Sequence, residues 1–243
     1  MTFAAALRHG RSPEDGYRRG WGLEFGTLRK TIRENADFQH AFSYATDRTV
    51  VTVDRLMNLF LLITEYLPNL SFGHIIEYGS YRAGSAFFMG ALAKKFLPGC
   101  QVYALDTFAG MPEPDGDIDA HIAGQFEVDY DELLRARGEY GLTNVHLIRG
   151  LFDATAQPVL REAEDIILAH IDCDLHESVK FAYDVSKEYM VRGGYFVFDD
   201  STTPSCLGAT EAVERFVIRR DGLFSEQIWP HHVFRAPGLT NGR

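Results

Sequence analysis

Apolar residues recur along this chain in two alternating patterns, and these patterns predict its fold. From Thr52 to Leu67 they recur at three- and four-residue steps, which predicts a helix that ends before Pro68. Beyond residue 70, short apolar runs alternate with helical patterns. The predicted strands cover residues 74–78, 101–106, 145–149, 166–172 and 194–199, and the predicted helices cover 84–97, 129–140, 155–163, 176–190 and 209–220.

Strands that alternate with helices indicate an α/β fold with a doubly wound, mostly parallel sheet. Two further segments, 224–229 and 232–235, flank Pro230 and predict a terminal hairpin, which brings the sheet to seven strands. Residues 1–50 are polar and rich in arginine, so they resemble a surface tail. Their aromatic residues point equally to a lid or subunit-contact arm; these are Trp21, Phe25, Phe38, Phe42 and Tyr44. We therefore predict an N-terminal helical arm over 1–50 and a main domain over 51–243.

Composition and charge narrow the functional classes. The 243 residues are 46% hydrophobic and 24% charged, as in a soluble globular protein, and the formal net charge is -10. Nucleic-acid binding requires a basic surface, so this charge argues against a nucleic-acid partner. Cys100, Cys173 and Cys206 show no metal-ligand spacing and fit a reducing cytoplasm. We expect neither a signal peptide nor a membrane span, because charged residues interrupt the early apolar stretches and the run 56–63 is short.

A glycine turn after the first predicted strand carries the first chemical signal. From Gly79 the chain reads Gly-Ser-Tyr-Arg-Ala-Gly-Ser. A dinucleotide fingerprint needs a middle glycine, and a phosphate-binding loop needs lysine where Ser85 stands. S-adenosylmethionine (SAM) has no phosphates and needs no such lysine. The turn therefore favours SAM, although a purely structural turn can have the same glycine spacing.

The tips of the next two strands extend this interpretation. Asp106 follows the second strand, where a carboxylate accepts hydrogen bonds from ribose hydroxyls. It can also cap a turn. Phe152, after the third strand, is placed to pack on adenine, and Asp153 to accept from the adenine amino group. Asp153 is equally well placed to cap the following helix.

Carboxylates end the fourth and fifth strands, which we expect to be neighbours. Asp172 ends one strand, and Asp199 and Asp200 stand at the end of the other. Either they lie in a solvated loop or a divalent cation neutralises them. Oxygen ligands suit Mg²⁺, and the lack of a His/Cys cluster argues against zinc. Such a cation beside SAM activates a hydroxyl, with Asp172 as the preferred base. The alternative bases are His176, His231 and His232.

Four motifs together resemble the macrocin O-methyltransferase family of SAM- and metal-dependent enzymes. They read Glu77-Tyr-Gly-Ser-Tyr-Arg-Ala-Gly-Ser85, Leu105-Asp-Thr-Phe-Ala-Gly-Met-Pro112, Ile171-Asp-Cys-Asp-Leu-His-Glu-Ser178 and Gly193-Gly-Tyr-Phe-Val-Phe-Asp-Asp200. The resemblance implies the Rossmann-like fold of class I SAM methyltransferases, a homo-oligomer, and methylation of a sugar hydroxyl in antibiotic biosynthesis. The acceptor it implies is a glycosylated antibiotic or a nucleotide-linked deoxysugar such as TDP-rhamnose. The compact chain favours the smaller acceptor.

The resemblance also implies roles for individual residues. The loop 110–125 would cover the acceptor, and Asp172, Asp199 and Asp200 would bind Mg²⁺. Aspartate as the second acid after strand five favours a sugar over a catechol, since catechol enzymes have asparagine there. A catechol or phenolic O-methyltransferase and a non-catalytic SAM-binding module remain alternatives. The residues expected at the SAM site are Glu77, Gly79, Ser80, Tyr81, Gly84, Ser85, Asp106, Thr107, Phe108, Phe152, Asp153 and Asp172.

Overall fold

A seven-stranded sheet forms the centre of the computed structural model, which describes residues 22–24 and 26–237. The strands are β1 (His74–Tyr78), β2 (Val102–Asp106), β3 (Val145–Arg149), β4 (Ile166–Ile171), β5 (Met190–Phe198), β6 (Ser225–Gln227) and β7 (His232–Arg235). Their order is β3-β2-β1-β4-β5-β7-β6. Strands β1 to β5 are parallel, whereas β7 is antiparallel to both β5 and β6. The predicted fold class and the terminal hairpin are confirmed.

Helices cover both faces of this sheet. They are α1 (Leu28–Arg33), α2 (Ala36–Ala45), α3 (Val53–Leu61), α4 (Gly84–Phe96), α5 (Tyr130–Glu139), α6 (Phe152–Ala163), α7 (His176–Ser186) and α8 (Leu207–Ala212). Irregular helical segments extend α3 over Leu62–Tyr66 and Leu67–Asn69, and extend α8 over Val213–Arg220; single turns occur at Gly22–Glu24 and Asp200–Thr202. In the described part of the chain, no helix is both long and apolar enough to cross a membrane.

Alternate strand residues pack into two separate cores. Ile75 belongs to the core under α2, α3 and α4, and Ile76 belongs to the core under α6, α7 and α8. Strand β1 pairs with β2 on one side and β4 on the other. The chain order therefore reverses at β1, and this reversal opens a crevice at the carboxyl ends of the strands.

Part of the predicted N-terminal arm belongs to the first core. Phe38 of α2 is buried, and its ring centroid lies 5.6 Å from that of Phe60 and 5.7 Å from that of Phe88. A surface tail would not bury such a ring, so α2 does not fit that alternative. Trp21 and Phe25 lie outside the described residues.

The boundaries predicted around β5 are wrong. The helix predicted over 176–190 ends at Ser186, and β5 begins at Met190 rather than at residue 194, so that Gly193 and Gly194 lie inside the strand. Met190 pairs with Ile166, so the apolar residues before the glycines belong to the sheet. The ladder shifts register at this end, and Gly193 has φ +83°. Glycines usually end a strand, but here they accommodate a bulge within one.

Gly79 is the position where the fold most strictly requires glycine. Its φ is +84°, and a Cβ atom there would lie 1.8 Å from the carbonyl oxygen of Asp172. We expect Gly79→Ala to lower the free energy of unfolding by at least about 2 kcal/mol, because the left-handed backbone alone costs an L-residue about 1–2 kcal/mol. Urea denaturation followed by circular dichroism measures this change.

Gly138→Ala is the matched control. Gly138 lies in α5, and a Cβ atom there would have no neighbour within 4 Å. This variant should be more stable than the wild type by about 0.5–1 kcal/mol, since alanine is the better helix former. Equal unfolding free energies for both variants would contradict the assigned role of Gly79.

Candidate active site

The glycine turn between β1 and α4 is held in place by Asp106 at the tip of β2. The backbone N–H groups of Ser80 and Tyr81 each donate to Asp106 Oδ2 at 2.8 Å, and the N–H of Phe108 donates to Oδ1 at 2.7 Å. Burial raises the pKa of Asp106, and these hydrogen bonds oppose that shift. Asp106 thus caps the turn, which was one of its two predicted roles.

An open cleft of about 560 Å³ lies at the carboxyl ends of the strands. This volume is in the usual range for a small-molecule site, about 300–1,000 Å³. The predicted cofactor residues that line it are Gly79, Tyr81, Asp106, Thr107, Phe152, Asp153 and Asp172. The structure therefore brings more than half of the predicted cofactor residues together around one cavity.

The other predicted cofactor residues are buried behind the wall of the cleft; these are Glu77, Ser80, Gly84, Ser85 and Phe108. Two of them retain polar atoms with no hydrogen-bond partner among the described residues, Glu77 Oε2 and Ser80 Oγ. Phe108 packs on Tyr130, with 5.0 Å between the ring centroids. As placed, these five residues shape the turn and its support rather than the cleft surface.

Helix α6 begins earlier than predicted, and this changes the role assigned to Asp153. The helix starts at Phe152 rather than at residue 155, and its N-cap is Leu151. Asp153 lies in the first turn, so the alternative that it caps the helix is wrong. Phe152 meets Tyr78 edge to face, with 5.3 Å between the ring centroids. Both Phe152 and Asp153 line the cleft.

Three carboxylates meet at the tips of β4 and β5. Oxygen atoms of Asp172, Asp199 and Asp200 lie within 4.8 Å of one another, as the sequence predicted. Burial raises the pKa of Asp172 and of Asp200 well above the usual range, and repulsion from neighbouring carboxylates adds to this shift. A donor set made only of oxygens fits a hard divalent cation such as Mg²⁺.

Asp199 differs from the other two acids because protein cations and imidazoles surround it. Arg55 Nη1 donates to Asp199 Oδ2, and His231 Nε2 lies 2.7 Å from Oδ1. Burial disfavours the ionised form of Asp199. The nearby imidazole of His170 and a hydrogen bond with His231 nevertheless hold the pKa of this carboxyl well below its usual range.

The contacts of Asp199 continue through its two imidazoles. His170 Nε2 lies 3.6 Å from Asp199 Oδ1, and its Nδ1 lies 2.9 Å from Glu77 Oε1. Burial opposes a charged imidazole, but the two carboxylates outweigh it and raise the pKa of His170 to about 9. His231 Nδ1 lies 3.0 Å from Asn58 Nδ2, and burial lowers the pKa of His231 to about 4.

Sequence reasoning missed three members of this network: Arg55, Asn58 and His170. Arg55 and Asn58 lie one turn apart on α3. The apolar pattern of this helix predicted its secondary structure but gave no signal for its polar residues. His170 is a polar residue inside an otherwise apolar strand, and that was a usable signal. Of the histidines proposed as bases, only His231 reaches the acids. His176 contacts Glu177, and His232 contacts Ser201.

The loop 110–125, predicted to cover the acceptor, forms part of the cleft wall. Its neck is closed by hydrogen bonds from Met111 N–H to the Gln125 carbonyl, 2.7 Å, and from Gly124 N–H to the Met111 carbonyl, 2.9 Å. Asp119 Oδ1 accepts from the N–H of His176 at 3.0 Å and fixes the loop to the start of α7. The loop is therefore anchored beside the three acids.

A mixed His/Cys group also forms near the cleft, although none was predicted. Ligand atoms of His121, Asp174 and Cys206 lie within 4.8 Å of one another. They come from three separate loops, so sequence spacing does not reveal them. The argument against zinc from a missing His/Cys cluster was therefore incomplete; the all-oxygen set at Asp172 remains the better match to Mg²⁺.

Comparison with known proteins places this site in a family. The model of the macrocin-O-methyltransferase (TylF) family matches residues 29–221. A relative from Streptomyces olivaceus, named 8-demethyl-8-(2,3-dimethoxy-alpha-L-rhamnosyl)-tetracenomycin-C 4'-O-methyltransferase, is 28% identical over 174 residues. That match covers 66% of this chain and 65% of the relative, just under two thirds of its length.

Solved structures agree with this fold. The calicheamicin methyltransferase CalS11 has a TM-score of 0.66 and 18% identity, with 93% of each chain covered. The O-methyltransferase NovP has a TM-score of 0.65 and 19% identity, with 90% of this chain and 98% of NovP covered. At these identities the likeness concerns the fold. The family model, however, spans most of the sequence, from α1 to the residue after the extension of α8, and the chain belongs to the macrocin-O-methyltransferase (TylF) family.

Proposed function

We propose that this protein is a SAM- and Mg²⁺-dependent O-methyltransferase that acts on a sugar hydroxyl. The observation that carries the proposal is the meeting of Asp172, Asp199 and Asp200 at one end of a cleft whose wall includes the glycine turn. A site that only bound SAM would have no use for three converging carboxylates. Membership of the TylF family supports the same reaction.

The glycine turn and the tips of β2 and β3 are proposed to hold SAM, which supplies the methyl group. Gly79 brings bare backbone to the wall of the cleft, Asp106 lies where ribose hydroxyls are bound in such sheets, and Phe152 offers an aromatic surface for adenine. Ser80 Oγ and Glu77 Oε2 are buried without a partner among the described residues, as expected of polar atoms beside a ligand site.

Asp172 is proposed to take the proton from the acceptor hydroxyl. Of the three acids, Asp172 is the one that lines the cleft, and a carboxylate placed beside a reacting hydroxyl can take its proton. Asp199 is less suited, because Arg55 and His231 already occupy its oxygens. Mg²⁺, when bound by the three acids, lowers the pKa of a neighbouring hydroxyl.

Two acceptor classes are compatible with sugar methylation. The Streptomyces olivaceus relative is named for a sugar on an aglycone, and CalS11 is described as a TDP-rhamnose 3'-O-methyltransferase. The compact size of this chain was the reason to favour the nucleotide-linked sugar. Size alone does not separate the two classes, because the cleft is open at its mouth.

Asp172→Asn tests the proposed chemistry. We expect it to lower the rate of methyl transfer by about 10²–10⁴-fold, the usual contribution of a general base. The affinity for SAM should stay within about threefold, because the turn and Asp106 remain. Transfer from labelled SAM to a panel of rhamnosides, TDP-rhamnose and phenols gives the rate, and calorimetry gives the SAM affinity.

Asp117→Asn is the control, because Asp117 is exposed on the loop 110–125 but does not line the cleft. It should transfer methyl groups at the wild-type rate. Undiminished activity of the wild type in a chelator would remove the metal from the proposal. SAM binding without transfer to any acceptor would favour the non-catalytic module, and transfer to phenols alone would favour the phenolic enzyme.

Phe152→Ala tests the proposed adenine site. Loss of an aromatic surface against a base costs about 1–3 kcal/mol, so the dissociation constant for SAM should rise by about 5- to 150-fold. Phe72→Ala is the control, since Phe72 is 60% exposed and lies before β1, away from the cleft. Calorimetric titration of both variants decides the matter, and an unchanged affinity in Phe152→Ala would place adenine elsewhere.

A further inference from the structure

Three loops meet beside the cleft and bring together a histidine, an aspartate and a cysteine. His121 comes from the loop 110–125, Asp174 from the loop between β4 and α7, and Cys206 from the residue before α8. Ligand atoms of the three lie within 4.8 Å of one another. None of them belongs to the all-oxygen set at Asp172, so methyl transfer as proposed above leaves this cluster without a role.

The packing of the loop 110–125 makes this meeting a feature of the fold. Gly208 lies two residues after Cys206, and a Cβ atom there would lie 1.9 Å from Asp119 Oδ1. Because Gly208 has no side chain, Asp119 fits against the start of α8. His121 follows Asp119 by two residues and is thereby held near Cys206.

The imidazole of His121 is poorly satisfied by the protein itself. Its Nε2 lies 3.5 Å from Asp174 Oδ1, which is longer than an ordinary hydrogen bond of about 2.7–3.2 Å. Its Nδ1 is buried and has no hydrogen-bond partner among the described residues. The side chain is only 13% exposed, and buried polar groups are normally hydrogen-bonded. The ring therefore points to a ligand that the chain does not supply.

The separations within the cluster match tetrahedral coordination. Ligands that Zn²⁺ holds at about 2.0–2.3 Å in a tetrahedron lie about 3.3–3.6 Å apart. Asp174 Oδ1 lies 3.5 Å from His121 Nε2 and 3.2 Å from Cys206 Sγ, close to these values. Imidazole and thiolate are ligands that suit Zn²⁺, whereas Mg²⁺ prefers oxygen alone.

Charge also allows a cation here beside the acids of the proposed Mg²⁺ site. The two clusters are adjacent, since the N–H of Asp174 donates to Asp200 Oδ2 at 2.9 Å and Cys206 Sγ lies 3.8 Å from Asp200 Oδ1. Asp174 and a Cys206 thiolate together carry two negative charges, which equal the charge of one divalent cation. Each cluster can therefore neutralise an ion of its own.

We propose that His121, Asp174 and Cys206 bind a Zn²⁺ ion at a site separate from the proposed Mg²⁺ site. On binding, the Cys206 thiol releases its proton to solvent, and a bond from sulfur to the metal takes its place. The ion joins the loop 110–125 to the segments that lead into α7 and α8, and so fixes this part of the cleft wall. The proposal does not depend on the methyl acceptor.

Co²⁺ is the spectroscopic probe, because a thiolate bound to Co²⁺ gives an intense charge-transfer band and a carboxylate does not. Titration of the full-length, reduced, Mg²⁺-loaded protein with Co²⁺ should give this band, and Zn²⁺ should remove it by displacement. Cys206→Ser should abolish the band. Cys100→Ala is the control, since Cys100 is buried in the first core, and it should retain the band. No band in the wild type, or a band that survives Cys206→Ser, overturns the proposal.

His121→Ala tests the site without a change in the buried cysteine. The affinity for Co²⁺ should fall at least about 10- to 100-fold, because even the loss of an outer-shell partner has this effect at metal sites. His40→Ala removes an exposed imidazole from α2 and should bind Co²⁺ as the wild type does. Equal affinities of the two variants would show that His121 is not a ligand and contradict the proposal.

Hydrogen exchange tests the effect on the loop. Zn²⁺ should slow amide exchange of residues 110–125 at least about tenfold in the wild type and leave it unchanged in His121→Ala, since only the bound ion restrains local opening. Exchange that is insensitive to bound Zn²⁺ would contradict its role in fixing the cleft wall. Neither measurement uses methyl transfer, so an error in the proposed function would not alter these results.

Discussion

The candidate site depends on one buried carboxylate, Asp199, and on the groups that compensate it. Arg55 reaches it from α3, His170 from β4, and His231 from the residue before β7. An uncompensated buried charge destabilises a protein by about 3–5 kcal/mol, so these contacts are not optional. They fix α3 against the tips of the sheet, and Asp199 is thereby held beside Asp172 and Asp200.

A second constraint joins the two halves of the site. The backbone of Gly79 lies so close to the Asp172 carbonyl that no side chain fits between them, and the N–H of Asp172 donates to the Tyr78 carbonyl at 2.9 Å. The turn proposed to hold the methyl donor and the acid proposed to take the proton are therefore parts of one backbone arrangement. Neither half can shift without the other, which is how pre-organised sites keep reacting groups in register.

Local patterns predicted the fold well because the central strands are nearly continuous apolar runs. Strands β1 and β3 have the predicted bounds, and the acids predicted to meet do so because parallel neighbours end at the same edge. The errors are of another kind. Glycines within β5 were read as its beginning, and Arg55 pairs with an acid 144 positions away. Such a contact depends on tertiary geometry, and no periodicity in the sequence records it.

The pairing of charges explains why a divalent cation suits the cluster. Asp199 is matched by Arg55, and Glu77 is matched by His170, whose pKa of about 9 keeps it protonated at neutral pH. His231 is neutral there, because burial lowers its pKa to about 4. Asp172 and Asp200 are then the members of the inner cluster left without a protein cation. Burial, together with repulsion from the neighbouring carboxylates, raises their pKa values. Two unbalanced carboxylates equal the charge of one Mg²⁺ ion. The network behind the wall thus leaves uncompensated negative charge at the end of the cleft, where the acceptor hydroxyl is proposed to react.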